Sequence, residues 1–121
     1  MALEVVSFAQ KFGLLADYWR PKIVAELNDL YVKVVKLQGE FVWHHHDNED
    51  ELFLVVKGRL LIQTPGKDLW LHPGEFAVIP KGIEHKPVAE EEVHAVLLEP
   101  TTTLNTGNVR NERTVAELER I

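Results

Sequence analysis

Turn-forming residues interrupt this chain at short, regular intervals, and that punctuation limits the fold more than any other feature. From Trp19 onward, runs of β-branched, aromatic and aliphatic residues are separated by Asn28-Asp29, Gly39, Gly58, Pro65-Gly66-Lys67-Asp68, Pro73-Gly74, Pro80-Lys81-Gly82 and Glu99-Pro100. Proline presets φ and glycine accepts positive φ, so these positions reverse the chain before a helix can grow. The segments between them read as strands over Arg20–Leu27, Tyr31–Leu37, Phe41–His46, Glu51–Lys57, Arg59–Gln63, Leu69–His72, Phe76–Ile79 and Val93–Leu98. Strands this short at this spacing predict an all-β sandwich or barrel. Gly58 between the fourth and fifth runs predicts a hairpin there.

Only the two ends read otherwise. Ser7 with Gln10 is a capping-box pair and Gly13 a stop, which predicts a short helix over Ser7–Leu14. Beyond Pro100 the tail reads as an irregular polar loop. Thr114 with Glu117 marks a helical turn near the end.

At 121 residues, 45% of them hydrophobic, the chain is expected to form one domain over residues 1–121, with its β core at about 19–99. Thirteen basic residues against 19 acidic ones give a net charge of −6, which argues against nucleic acid and against an anionic membrane surface. There is no cysteine, so disulfides, thiolate nucleophiles and sulfur metal ligands are excluded. The longest apolar runs, Leu52–Val56 and Ala95–Leu98, are far too short to span a bilayer. No basic stretch leads into an apolar one at the N-terminus, and the expectation is a soluble, cytoplasmic protein.

The chemistry concentrates in Trp43-His44-His45-His46 and the acidic residues after it. On a strand, side chains two apart share a face, so His44 and His46 point one way and His45 the other. Two imidazoles about 7 Å apart at Cβ can meet one cation at about 2.1 Å per bond. Glu51 opens the next strand; if the two strands pair, its carboxylate returns to the same place as a third ligand. His85, just past Pro80-Lys81-Gly82, is available as a fourth. Imidazoles and a carboxylate without sulfur suit iron(II), manganese, nickel or zinc.

These spacings resemble the two motifs of the cupin superfamily. Gly39, His44, His46, Glu51 and Gly58 follow the first motif over 39–58, and Gly74, Pro80, Gly82 and His85 follow the second over 74–89. Four residues rather than the usual five separate Gly39 from His44, and Ala89 stands where the second motif closes on Asn. The stretches Asp50-Glu51-Leu52-Phe53 and Asn105-Thr106-Gly107 are similar to those of small stand-alone members. The resemblance implies a jelly-roll β-barrel that binds one divalent metal ion through His44, His46, Glu51 and His85.

The remaining polar residues read as structural. Asp47, Glu49 and Asp50 compete with Glu51 for the carboxylate role but lie in a turn. His45 reads as a surface residue, His72 as a turn residue and His94 as a satisfied core histidine; Arg20 and Lys22 read as exposed. Trp19, Trp43 and Trp70 read as packing residues, one of them available to a pocket wall.

A divalent ion with one carboxylate leaves one net positive charge and open coordination positions, which favour a small chelating anion. The expected function is therefore a mononuclear metalloenzyme of isomerase or dioxygenase type acting on a small polar or anionic metabolite. Two readings stand beside it: a binding or sensing module that uses the same metal, and a barrel whose metal only ties strands together. Alternation from Glu51 turns Phe53 and Val55 inward and Leu52, Leu54 and Val56 outward. An apolar outer face needs a cover, and a homodimer would provide it.

Overall fold

Seven strands and one helix follow the punctuation of the sequence in the structure, a computed structural model that describes residues 3–121. Helix α1 spans Phe8–Phe12; the strands are β1 Lys22–Leu27, β2 Leu30–Glu40, β3 Glu51–Lys57, β4 Leu60–Thr64, β5 Lys67–Leu71, β6 Phe76–Ile79 and β7 Lys86–Pro100. All pairings between them are antiparallel, in the order β1-β2-β7-β3-β6, with β4 joined to β5 and to β7. The result is the expected all-β jelly roll. Strand β7 organises it: residues 94–98 pair with β3 on one side and with β2 on the other, while 86–88 pair with β4. No helix among the described residues is long and apolar enough to cross a membrane.

Alternation sorts the side chains into two layers. Val35 and Leu37 of β2, Phe53 and Val55 of β3, Leu60 and Ile62 of β4, and Val93, Ala95 and Leu97 of β7 face inward and form the main core. Each fully buried residue of this size contributes roughly 1.5–3 kcal/mol. The opposite face of β2 and β7 carries Val34 and Val96, covered by Phe12 and Leu15 around α1, with Leu54 and Ile121 packed alongside. Ser7 caps that helix by accepting a hydrogen bond from the Gln10 amide at 3.3 Å. The chain therefore covers much of its own outer sheet. Phe76, Val78 and Val56 of the same face stay exposed, as do Leu3 and Val5 near the N-terminus.

Four sequence expectations are corrected. Phe41–His46 is not a strand; apart from a bridge between His44 and His85 it is irregular. β3 and β4 form no hairpin, because the chain leaves β3 for another part of the roll at Gly58. There φ is +80° and a Cβ would lie 2.7 Å from the Glu92 carbonyl oxygen, so only glycine lets the crossing pass so close. The tail holds no helical turn at Thr114, whose hydroxyl is engaged by the Asn111 amide and by Thr106. Trp43 and Trp70 are exposed rather than packed, lying beside Lys86 and Arg59 respectively.

Candidate metal centre

His44 and His85 face each other directly. Each backbone amide donates to the other's carbonyl, His44 N to His85 O at 3.0 Å and His85 N to His44 O at 2.9 Å. This doubly bonded antiparallel pair sets both side chains on one face, with ring centroids 4.3 Å apart. Similar cross-links fix the rest of the irregular segment. Phe41 N donates to Pro87 O, Gly82 N to His46 O, Asn108 N to His45 O, and His45 N to the Asn108 side-chain oxygen. The alternation predicted for a strand survives without the strand, since His44 and His46 are buried while His45 turns away.

Glu51 arrives by a different route from the one the sequence suggested. Its strand pairs with β6 and β7 instead of the histidine segment, and its Cα partner is Ile79. Inward alternation of β3 still delivers the carboxylate to the histidines, with Oε1 3.2 Å from His85 Nε2 and 3.4 Å from His46 Nε2. The four residues expected as ligands thus converge. One ligand atom from each of His44, His46, Glu51 and His85 lies within 4.8 Å of the others, and all four side chains are buried.

The donor set fits a metal ion. His44 Nδ1 lies 2.8 Å from the Val42 carbonyl and His85 Nδ1 2.9 Å from that of Ile83. A carbonyl only accepts, so each Nδ1 carries the proton and each Nε2 lone pair is aimed at the cluster, the usual arrangement behind metal-bound imidazoles. Both ring nitrogens of His46 are buried without any hydrogen-bond partner. An orphaned imidazole in a core is costly, and a cation is the partner this geometry offers.

Electrostatics agree. Burial, reinforced by the His85 charge, pushes His44 down to about 4, so it is neutral and ready to donate at physiological pH. Burial opposes charge on His85 too, but the Glu51 carboxylate outweighs it and raises this histidine. Burial also opposes ionisation of Glu51, yet the neighbouring Glu99, His46 and His85 side chains hold its carboxyl well below the usual range.

Beside the cluster lies a cavity of about 30 Å³, walled by Trp19, Phe41, Phe53 and Leu97, with His44 and Glu51 at its polar end. That is room for one or two water molecules. Trp19 is the tryptophan that lines the wall. It adopts φ +63°, an unusual conformation for a bulky residue. Its backbone amide donates to Lys36 O at 2.9 Å, its indole N–H donates to Gln38 O at 2.8 Å, and its ring stacks on Phe41 at 4.8 Å.

The other polar residues stay outside this centre. His45 pairs with Asp47 and Glu84, and His72 with Glu75 in an exposed turn. His94 stacks on Phe12 at 4.7 Å and meets Glu92 on the outer face. Asp50 accepts from the Lys81 amide and Glu49 from Thr102. Arg20 and Lys22 pair with Asp17 and Glu119.

Sequence reasoning missed three contributors. Lys33 and Glu99 form an ion pair of 2.6 Å in which each side chain is 1% exposed, and the register of β3 with β7 brings Glu99 opposite Glu51. An inward polar residue on an otherwise apolar strand face was the available signal. Gly107 is the third: a Cβ there would sit 2.2 Å from the His45 carbonyl oxygen and 3.1 Å from the His44 ring, with φ at +56°.

A cupin domain model matches residues 31–100. A cupin-2 domain containing protein from Shewanella frigidimarina is 47% identical, covering 79% of this chain and 94% of its own, with a TM-score of 0.78. Protein NMB1881 from Neisseria meningitidis is 29% identical over 81% of this chain and 100% of its own, with a TM-score of 0.75. KdgF from Halomonas sp. is 31% identical over 66% of this chain and 78% of its own, with a TM-score of 0.58. The uncharacterized protein YdbB of Bacillus subtilis is 41% identical over 64 residues, which is 52% of this chain and 57% of that protein.

Proposed function

The chain belongs to the cupin domain family, and from that premise we propose that His44, His46, Glu51 and His85 hold one divalent first-row metal ion that handles a small chelating metabolite. The observation that carries this reading is the convergence of four buried ligand atoms within 4.8 Å of one another at the end of a cavity. When bound, such an ion supplies Lewis acidity to a carbonyl, enolate or carboxylate oxygen. Iron, manganese, nickel and zinc all suit the donor set.

The chain's own residues do the rest. Val42 and Ile83 hold the imidazoles of His44 and His85 by their Nδ1 protons. Phe41, Phe53 and Trp19 keep bulk water from the polar end and give an apolar surface to the body of a ligand. With about 30 Å³ available, a metabolite enters by displacing part of this wall. Isomerase- or dioxygenase-type turnover is the enzymatic form of the proposal. The test is a screen of small oxo-acids and sugars with metal-loaded protein; metal-dependent turnover supports catalysis.

One observation favours a second reading. The titratable groups lining the cavity are His44 and Glu51, both committed as ligands, so no separate side chain stands ready as general base. Tight, metal-dependent binding without turnover would make the protein a binding or sensing module.

We also propose a homodimer. Phe76 and Val78 on the edge strand β6 are 62% and 50% exposed, and Leu3 and Val5 are almost fully exposed. A second copy would cover these residues. Sedimentation at micromolar concentration tests this, and a monomer there refutes it.

A further inference from the structure

Every inward position near the level of Glu51 on the adjacent strand β7, and on β2 beyond it, would be expected to be apolar, and two are not. On β2 the inward series Leu37, Val35 ends in Lys33; on β7 the series Val93, Ala95, Leu97 ends in Glu99. The register explains why they meet. Leu52 pairs with Leu98 and Lys33 with Leu97, so one step further along, Glu99 stands opposite Glu51, and diagonally from Lys33. Lys33 Nζ donates to Glu99 Oε1 at 2.6 Å, the second Glu99 oxygen is buried with no hydrogen-bond partner of its own, and the register sets the Glu99 and Glu51 carboxyl groups side by side. Glu51 meanwhile turns Oε1 toward His46 and His85. The order is therefore Lys33, Glu99, Glu51, then the three imidazoles.

A buried ion pair is weak support for a fold, because well-packed apolar residues in its place are often as stable or more so. Stability alone thus does not account for a lysine and a glutamate at 1% exposure inside a barrel. We propose that Lys33, acting through Glu99, is the positioning group for Glu51 and holds its carboxylate in the orientation that completes the metal site. This rests on the metal reading above, and it adds two residues that do not themselves bind the ion. Groups of this kind behind a ligand change metal affinity by about 10- to 100-fold.

The test is a titration of the full chain with Co²⁺, followed by its visible absorption and by competition with a chelator. K33M/E99L removes the Lys33–Glu99 pair as a unit, so the hold on Glu51 is lost. The expected result is a melting temperature close to wild type, Co²⁺ affinity about 10- to 100-fold weaker, and an altered d–d spectrum. E99Q keeps a donor toward Glu51 and an acceptor for Lys33, and should restore affinity to within about threefold of wild type. K33Q covers the case in which the double variant does not fold. Removing a positive charge would by through-space repulsion alone tighten binding of a cation, whereas loss of positioning weakens it. Wild-type affinity and spectrum in folded K33M/E99L, tighter binding in K33Q, or an E99Q variant as impaired as the double variant would each overturn the proposal. Failure of wild-type protein to bind Co²⁺ would instead overturn the metal reading itself.

Discussion

The two halves of the candidate site are built by opposite means. Glu51, with Glu99 behind it, sits on regular strands, where register and alternation place the side chains and the ladder holds them. His44, His46 and His85 sit on irregular backbone, placed by one or two hydrogen bonds at each point from distant loops: Gly82 to His46, Asn108 with His45, and His44 with His85. A regular ladder spreads its support over many bonds, whereas an irregular segment depends on each one. The histidine half should therefore be the half that substitutions outside the ligand set can spoil.

The largest effect is expected at a ligand. His46→Ala removes the imidazole whose two nitrogens lack any other partner, so elemental analysis should show metal occupancy nearly abolished while circular dichroism keeps its β signature. Full occupancy would contradict the assignment. Next comes Gly107→Ala, which touches no ligand atom of Glu51 but drives a methyl group into the His45 carbonyl at 2.2 Å. Strain at a positive-φ site costs about 1–3 kcal/mol. Thermal unfolding should show that loss, and metal affinity should drop with it; an unchanged variant would mean that the tail loop does not hold the histidines.

The pH dependence separates the halves further. Metal binding needs neutral imidazoles, and Glu51 holds His85 above 6.5 while burial holds His44 at about 4. Affinity should therefore fall as pH drops through the raised value of His85, by about tenfold per unit below it, with His44 adding a further fall only near pH 4. The sign is reversed for the metal-free fold. A histidine raised on folding contributes stability that is fully present below 6.5 and is lost as pH rises through its folded value. Calorimetry in buffers of different ionisation heat should detect proton release on binding near neutrality. The smallest effect belongs to Asn108→Ala, which removes the side-chain acceptor of the His45 amide. One such bond contributes about 0.5–1.5 kcal/mol, so a several-fold weaker metal affinity is expected.

The same contrast decides what could be read from the sequence. Alternation along β3 was legible because Glu51, Phe53 and Val55 obey a period of two, and β6 was found at its observed limits, Phe76–Ile79. The convergence of His44, His46, Glu51 and His85 was legible because motif spacing survives irregular backbone. The conformation of 41–46 was not, since its aromatic and β-branched residues favour a strand locally while its hydrogen bonds go to loops near 82, 85 and 108. Strand β7 runs from Lys86 rather than Val93 because pairing with β2 and β4 over 86–89 starts the strand before the unpaired polar stretch Glu90–Glu92. The partnership of Lys33 with Glu99 depends on the register of strands 66 residues apart, which no local pattern encodes.

The most direct test uses the histidine rings themselves. The chain has six histidines, and nitrogen NMR of the imidazoles during titration with Zn²⁺ reports each one. Coordination at one site per chain should shift the Nε2 signals of His44, His46 and His85 together, saturating at one equivalent, and leave His45, His72 and His94 in place. Shifts led by the exposed His45 or His72, or no stoichiometric change at the three buried rings, would contradict the account.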